Sequence, residues 1–103
     1  MFSPVVHKEA LIRLMTKLRA AKPQSRMAFD SNISREYIRC LEKGEKKPSV
    51  QTLIALIAAS ELDMKKTLCE FVDMLNEEND KYKANAGIDY VKKLKKDSKP
   101  SNP

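Results

Sequence analysis

The sequence predicts an all-α fold of one domain, and three observations support this prediction. Only two glycines occur in 103 residues, there is no tryptophan, and aromatic residues make up 6% of the chain. Apolar residues recur three and four positions apart, as on one face of a helix, whereas the alternation typical of strands is scarce. Serine, aspartate and proline residues precede these segments at positions where helices commonly begin.

The spacing predicts five helices, over about residues 4–21, 23–30, 34–43, 49–60 and 64–83. The expected N-caps are Ser3, Ser34, Ser49 and Asp63. Asn32 and Gly44 are suited to the left-handed conformation that ends a helix. In helix 4 the expected buried side is Val50, Leu53, Ile54, Ile57 and Ala58. Residues 84–87 predict a weak break, so we expect a folded domain over residues 1–83 and a flexible, basic, partly disordered tail over residues 84–103.

The third helix and its flanks, residues 33–49, have the pattern of a recognition helix. Ile38 and Leu41 lie three positions apart on one face, and the opposite face carries Arg35, Glu36, Arg39 and Cys40. A helix this short is not stable alone, so neighbouring helices must hold its apolar face and leave the polar face outward. An ordinary amphipathic helix with a solvated charged face is the alternative interpretation.

The charge balance favours a polyanionic partner. Twenty Lys and Arg residues against 14 Asp and Glu leave a net charge of +6, which suits nucleic acid or an acidic membrane surface. We nevertheless expect a cytoplasmic protein without membrane contact. The two cysteines lack CxxC spacing, the first residues lack the features of a signal peptide, and no run approaches the ~18 apolar residues of a membrane span.

The sequence contains no arrangement of residues typical of catalysis, so an enzyme is not expected. One histidine and two scattered cysteines do not form a zinc site, and no metal or other cofactor is expected. Cys40 has two interpretations, as a base contact or as an oxidation sensor activated by neighbouring cations. Cys69 is expected in the core.

Residues of helices 2 to 4 repeat a known pattern. In order, they are Gln24, Met27, Ala28, Ser34, Tyr37, Ile38, Leu41, Glu42, Gly44, Pro48, Ser49, Thr52 and Leu53. Their identity and spacing resemble the Cro/XRE family of phage-repressor-type regulators, whereas Lys22-Pro23, Asn32 and Ser60 depart from the family pattern. The resemblance implies a five-helix, lambda-repressor-like DNA-binding domain with a helix-turn-helix formed by helices 2 and 3. It also implies that Glu42 pairs with helix 1, through Arg19 by apolar register or through Lys17 by loop length.

In that family the third helix lies in the DNA major groove. The resemblance therefore makes the base-contacting candidates Arg35, Glu36, Tyr37, Arg39 and Cys40. Glu36 either accepts a hydrogen bond from a cytosine amine or pairs with a nearby Arg or Lys. The candidates for contact with the DNA backbone are Gln24, Ser25, Arg26, Ser34, Lys43, Lys46 and Lys47, although a solvated loop also accounts for the lysines.

One recognition helix spans few base pairs, so we expect a homodimer on a palindromic operator of double-stranded DNA. The candidate dimer interface is the stripe of Met64, Leu68, Phe71 and Leu75, which alternatively packs back on helices 1 and 4. The expected function is sequence-specific transcriptional regulation, most simply repression. The alternatives are an antitoxin or a restriction-modification controller that regulates its own operon, or a protein-interaction module on the same fold. A protein partner would then bind through helix 5 or the tail.

Overall fold

The computed structural model describes the backbone of residues 2–97 and the side chains of residues 2–85. This part of the chain contains five α-helices and no strand. The helices are α1 (Pro4–Ala21), α2 (Gln24–Ser31), α3 (Arg35–Glu42), α4 (Val50–Ser60) and α5 (Met64–Asp97). The predicted all-α class is confirmed, and the first four helices begin and end within about one residue of the expected bounds, a normal uncertainty for helix ends.

Side-chain caps begin four of the helices at the residues predicted from the sequence. In each, a side-chain oxygen accepts a hydrogen bond from a first-turn N–H: Ser3 from Val6 at 3.2 Å, Ser34 from Tyr37 at 3.1 Å, Ser49 from Thr52 at 3.1 Å and Asp63 from Lys66 at 2.7 Å. Such a cap contributes about 1 kcal/mol. This contribution matters most for α3, because its eight residues make few internal hydrogen bonds.

Residues with positive φ end the short helices and turn the chain. Asn32 follows α2 with φ 58° and Gly44 follows α3 with φ 75°, as predicted. A Cβ atom at Gly44 would lie 2.8 Å from Cε of Lys8 and 3.0 Å from Cδ1 of Ile12. The left-handed backbone favours glycine at this position, and a larger residue would also displace the side chains of Lys8 and Ile12.

The main core lies where the first four helices and the start of α5 meet. Its fully buried side chains are Leu14, Met15, Leu18, Met27, Ile38, Leu41, Leu56 and Ile57. A smaller cluster of Val6, Ala10 and Leu75 continues the core between α1 and α5. Ile38 and Leu41 thus fix α3 from beneath, as the sequence predicted.

The predicted buried side of α4 is largely wrong. Ile57 is buried and Leu53 is partly buried, but Val50 is 74% exposed and Ile54 is 42% exposed. Ala58 is exposed as well, and the additional buried residues are Leu56, Ala59 and Ser60. The segment from Leu53 to Ala59 is apolar on nearly every side, so apolar spacing cannot select the side that packs against the other helices.

The predicted break at residues 84–87 is also wrong, because α5 continues to Asp97. A single glycine costs a helix only about 1 kcal/mol relative to alanine, and the flanking residues include two alanines. The helix packs antiparallel to α1, with Arg13 paired to Glu77 and Glu78 and Lys17 paired to Glu70. Cys69 on this helix is exposed, not in the core as expected.

The length of α5 gives the molecule its dimensions of 59 × 26 × 21 Å. With 34 residues against the 18 of α1, it continues beyond the part that packs on the domain. The expected disorder of the tail concerns residues 84–103. Of these, residues 84–97 are helical, and residues 98–103 lie outside the described residues.

Candidate nucleic-acid interface

The helices α2 and α3 are joined by a turn of three residues, 32–34. Asn32 adopts the left-handed conformation, and the N–H of Ile33 donates to the carbonyl of Ala28 at 3.3 Å. Ser34 then caps α3. Because Met27 of α2 and Ile38 and Leu41 of α3 enter the same core, the two helices are fixed relative to each other.

The outward side of α3 is polar and charged. Arg35, Glu36 and Arg39 are exposed, and Tyr37 is half-buried against the core. Three of the five predicted base-contacting side chains are therefore exposed, and a fourth, Tyr37, is exposed in part.

Cys40 does not lie on this exposed side, which corrects the prediction from the sequence. Cys40 is buried, with only 8% of its surface exposed. Burial and a hydrogen bond with Glu45 raise the pKa of the Cys40 thiol. Since the thiolate is the form that reacts with oxidants, the structure favours neither an oxidation sensor nor a base contact at this position.

Glu36 and Arg39 form an ion pair on the surface of α3. Arg39 Nε donates to Glu36 Oε1 at 3.2 Å, and Arg39 Nη2 donates to Glu36 Oε2. The hydrogen bond from Arg39 lowers the pKa of Glu36. Of the two interpretations of Glu36, pairing with a nearby Arg is therefore the one seen in the free protein.

A chain of polar contacts joins the first three helices. Arg35 Nε donates to Gln24 Oε1 at 3.0 Å, and Gln24 Nε2 donates to Glu42 Oε1 at 3.5 Å. The other oxygen of Glu42 accepts from Arg19 Nη1. The pairing of Glu42 with Arg19 is confirmed, whereas Lys17, the alternative, pairs with Glu70 of α5 at 2.8 Å.

Basic side chains flank α3 on both sides. At the start of α2, Ser25 and Arg26 are exposed, and Arg26 pairs with Asp30 at 3.1 Å. After α3, the exposed lysines Lys43, Lys46 and Lys47 form no ion pair with any other residue of the described part. Together with Ser34, these groups and Gln24 are the predicted contacts to a DNA backbone.

Comparison of the chain with protein-family models, with curated proteins and with solved structures found no significant match. Within the described residues, no helix is long and apolar enough to cross a membrane. The same part of the chain contains no group of three or more His, Cys, Asp or Glu side chains placed to hold a metal ion.

The predicted dimer stripe packs mainly into the protomer's own core. Leu75 is 8% exposed, and Met64, Leu68 and Phe71 are partly buried against the core clusters. The alternative that helix 5 packs back on its neighbours is therefore observed for these four residues. The larger exposed apolar side chains of α5 in the described part are Val72, at 51%, and Tyr82, at 43%.

The sequence did not reveal the role of Lys22, which fastens α2 to the end of α4. Its ammonium group lies 2.5 Å from Asp30 Oδ2 and 2.8 Å from Glu61 Oε2, and it also donates to the carbonyl of Ala59. The hydrogen bond to Asp30 is the main cause of the raised pKa of Lys22. The one sequence feature that pointed to this position was the departure of Lys22-Pro23 from the pattern of the Cro/XRE family.

Proposed function

We propose that this chain is a transcriptional regulator with a lambda-repressor-like fold, of the Cro/XRE type, that binds a palindromic double-stranded DNA operator as a homodimer. The observation that carries the proposal is the placement of α3. Ile38 and Leu41 anchor it in the core and Ser34 caps it, while Arg35, Glu36 and Arg39 face solvent. A short, rigidly held helix with an outward row of charged side chains fits the major groove.

In the proposed complex, Arg35 contacts a base edge. Its contact with Gln24 leaves the two terminal nitrogens of the guanidinium free of other hydrogen bonds in the described part of the chain. Two parallel hydrogen bonds from one guanidinium to guanine are the commonest specific contact in DNA recognition. Gln24 would hold Arg35 in place from α2, and Glu42 and Arg19 support Gln24 from the other side.

The backbone contacts come from both ends of the helix-turn-helix. The free amides at the start of α2, together with Gln24, Ser25 and Arg26, attract phosphate. Lys43, Lys46 and Lys47 supply cations after α3. These groups add affinity without reading sequence, because phosphates are the same at every base pair.

Glu36 contributes to selectivity in this proposal. Its carboxylate repels phosphate and holds Arg39 close to the helix. A protein docked in the wrong register would place this carboxylate against phosphate, and the repulsion would weaken binding to the wrong sequence. Repression by occlusion of a promoter is the simplest consequence, since it requires binding alone.

The proposal is tested by selecting bound sequences from a random pool of DNA duplexes with the full chain. We expect one enriched sequence with two-fold symmetry, bound about a thousand-fold or more tightly than its scrambled version. Affinity should also fall steeply as salt is raised, because bound phosphates release counterions. Enrichment of no sequence, or equal affinity for the selected and scrambled duplexes, would refute the proposal.

A further inference from the structure

An apolar groove of about 640 Å³ lies between α1, the α3–α4 loop, the start of α4 and α5. Its apolar lining includes Val5, Leu11, Val50, Leu53 and Phe71. Val5 and Val50 are 56% and 74% exposed, so their apolar side chains are open to solvent at the groove. A volume of this size is within the range of established binding sites.

The charged residues that line this groove are all basic. They are Lys8, Lys46 and Lys47, and the lining contains no Asp or Glu. Lys8 comes from α1 but packs over Gly44, which brings it to the same loop as Lys46 and Lys47. Within the described residues none of the three lysines forms an ion pair.

We propose that this groove binds an acidic amphipathic segment of a partner protein, and that the bound segment excludes DNA. An apolar floor bordered by side chains of three helices matches the apolar face of a helix with anchors at i, i+3, i+4 and i+7. Three lysines from two elements match several carboxylates on one polypeptide. A small molecule with a single carboxylate would leave most of this charge without a partner.

The exclusion of DNA rests on the proposed function. Lys46 and Lys47 line the groove and are also predicted contacts to the DNA backbone. A segment that places carboxylates on these lysines removes phosphate contacts and adds negative charge immediately after α3. Segment and operator therefore compete for the same cations, and the partner acts as a releasing factor for the regulator.

A synthetic peptide serves as the probe, with leucines at i, i+3, i+4 and i+7 and glutamate or alanine elsewhere, labelled for fluorescence anisotropy with the full chain. Two control peptides replace either the leucines with serine or the glutamates with glutamine. We expect the probe to bind more tightly than both controls. Equal binding of the serine peptide would overturn the proposal, because charge alone would then account for the affinity.

Substitution of exposed residues tests whether the peptide binds in this groove, because such substitutions leave the core intact. Val50→Asp and Val5→Asp should each weaken peptide binding about ten-fold or more, because each removes apolar contact area and adds a repelling charge. Val72→Asp is the matched control, since Val72 is 51% exposed on α5 and does not line the groove. Equal losses in all three variants, at unchanged melting temperature, would overturn the assignment of the peptide to this groove.

Competition is then measured with the selected duplex. Rising concentrations of the probe peptide should displace the labelled duplex, and the serine peptide should not. Peptide binding in the groove with the duplex still bound would overturn the exclusion. Failure to select any DNA would refute the proposed function, and the anisotropy experiments would still decide whether the groove binds the peptide.

Discussion

Arg35 lies on the exposed side of α3 with its Nε held by Gln24 at 3.0 Å. Arg35→Ala should therefore remove sequence preference while weak binding to any DNA remains. We expect discrimination between the selected and scrambled duplexes to fall about ten-fold or more, as for the loss of a bidentate contact to guanine. Titration of both duplexes at one salt concentration measures this ratio.

Arg13→Ala is the matched control for that experiment. It also removes one guanidinium, but Arg13 pairs with Glu77 and Glu78 on the α1–α5 side. Its discrimination ratio should match that of the unmodified protein. If Arg35→Ala weakens binding to both duplexes by the same factor, Arg35 contacts phosphate and not a base.

Asp30 makes stability depend on pH. The hydrogen bond from Lys22 lowers the pKa of Asp30 below 3.8, and Arg26 lowers it further. A carboxyl group with a lowered pKa in the folded state stabilises the protein above its unfolded pKa and loses that contribution as pH falls through the folded pKa. Asp30→Asn should thus lower the melting temperature at neutral pH, and the difference from the unmodified protein should shrink as pH falls through the lowered pKa of Asp30.

The control for Asp30→Asn is Asp73→Asn. Asp73 is exposed on α5 and pairs with no other residue of the described part, so its melting curve should follow the unmodified protein at each pH. If Asp30→Asn lowers the melting temperature equally at neutral and acid pH, the charge of Asp30 does not account for the pH dependence of stability.

Apolar spacing indicated the position of an individual side chain best where one face of its helix was clearly apolar. The apolar register of helix 1 favoured Arg19 as the partner of Glu42 whereas loop length favoured Lys17, and the pair with Arg19 is the one observed. The burial of Cys40 could not be predicted, because a helix of eight residues has too few apolar positions to define the width of its buried side. The Arg39–Glu36 pair was one of two open alternatives, since spacing of three residues permits it without requiring it.

Leu41 connects α3 to the main core and is fully buried. Leu41→Ala should lower the free energy of unfolding by about 2–5 kcal/mol, because it removes buried methyl groups and leaves a cavity beneath the helix. In a domain of this size, each kcal/mol corresponds to a shift in melting temperature of about 4–8 °C. Thermal unfolding followed by circular dichroism measures the change.

Val72→Ala tests whether that loss comes from burial, because Val72 is 51% exposed on the outer side of α5. Its melting temperature should stay close to that of the unmodified protein. A Leu41→Ala curve that overlays the Val72→Ala curve would show that α3 does not depend on this core contact.

At the level of helices, capping residues were the most informative part of the sequence. Ser3, Ser34, Ser49 and Asp63 act locally, so the start of each helix could be predicted without knowledge of the fold. The buried side of α4 could not, because its apolar residues surround the helix and packing decides which of them face inward. The continuation of α5 through Gly87 was missed because the weak breaking tendency of one glycine was overestimated.

A net charge of +6 would attract any polyanion irrespective of its sequence, and Lys47 in the α3–α4 loop is a proposed contact to phosphate. Lys47→Ala should weaken binding to the selected and the scrambled duplex by a similar factor. It should also reduce the slope of log affinity against log salt by about one. Lys83→Ala is the matched control, since Lys83 is exposed on α5 beyond the packed part of that helix. An unchanged slope for Lys47→Ala would place this lysine in solvent.

The proposed assembly of two copies on DNA depends on the reach of α3 and the packing of α5. Eight residues make a helix of about 12 Å, which covers about four base pairs. Two copies related by a two-fold axis would read half-sites about one DNA turn apart. Since the stripe from Met64 to Leu75 packs within its own protomer, we expect the free chain to sediment mainly as a monomer and the second copy to join on the operator.

Sedimentation velocity measures this assembly with duplexes that carry two half-sites or only one. Two copies should bind the full site cooperatively, and removal of one half-site should lower the affinity about a hundred-fold or more, because the joint binding gains a high effective concentration. A change of half-site spacing by half a turn should have a similar effect, since it places the second copy on the opposite face of the duplex. A complex of one copy that binds the single half-site with full affinity would contradict a dimeric regulator.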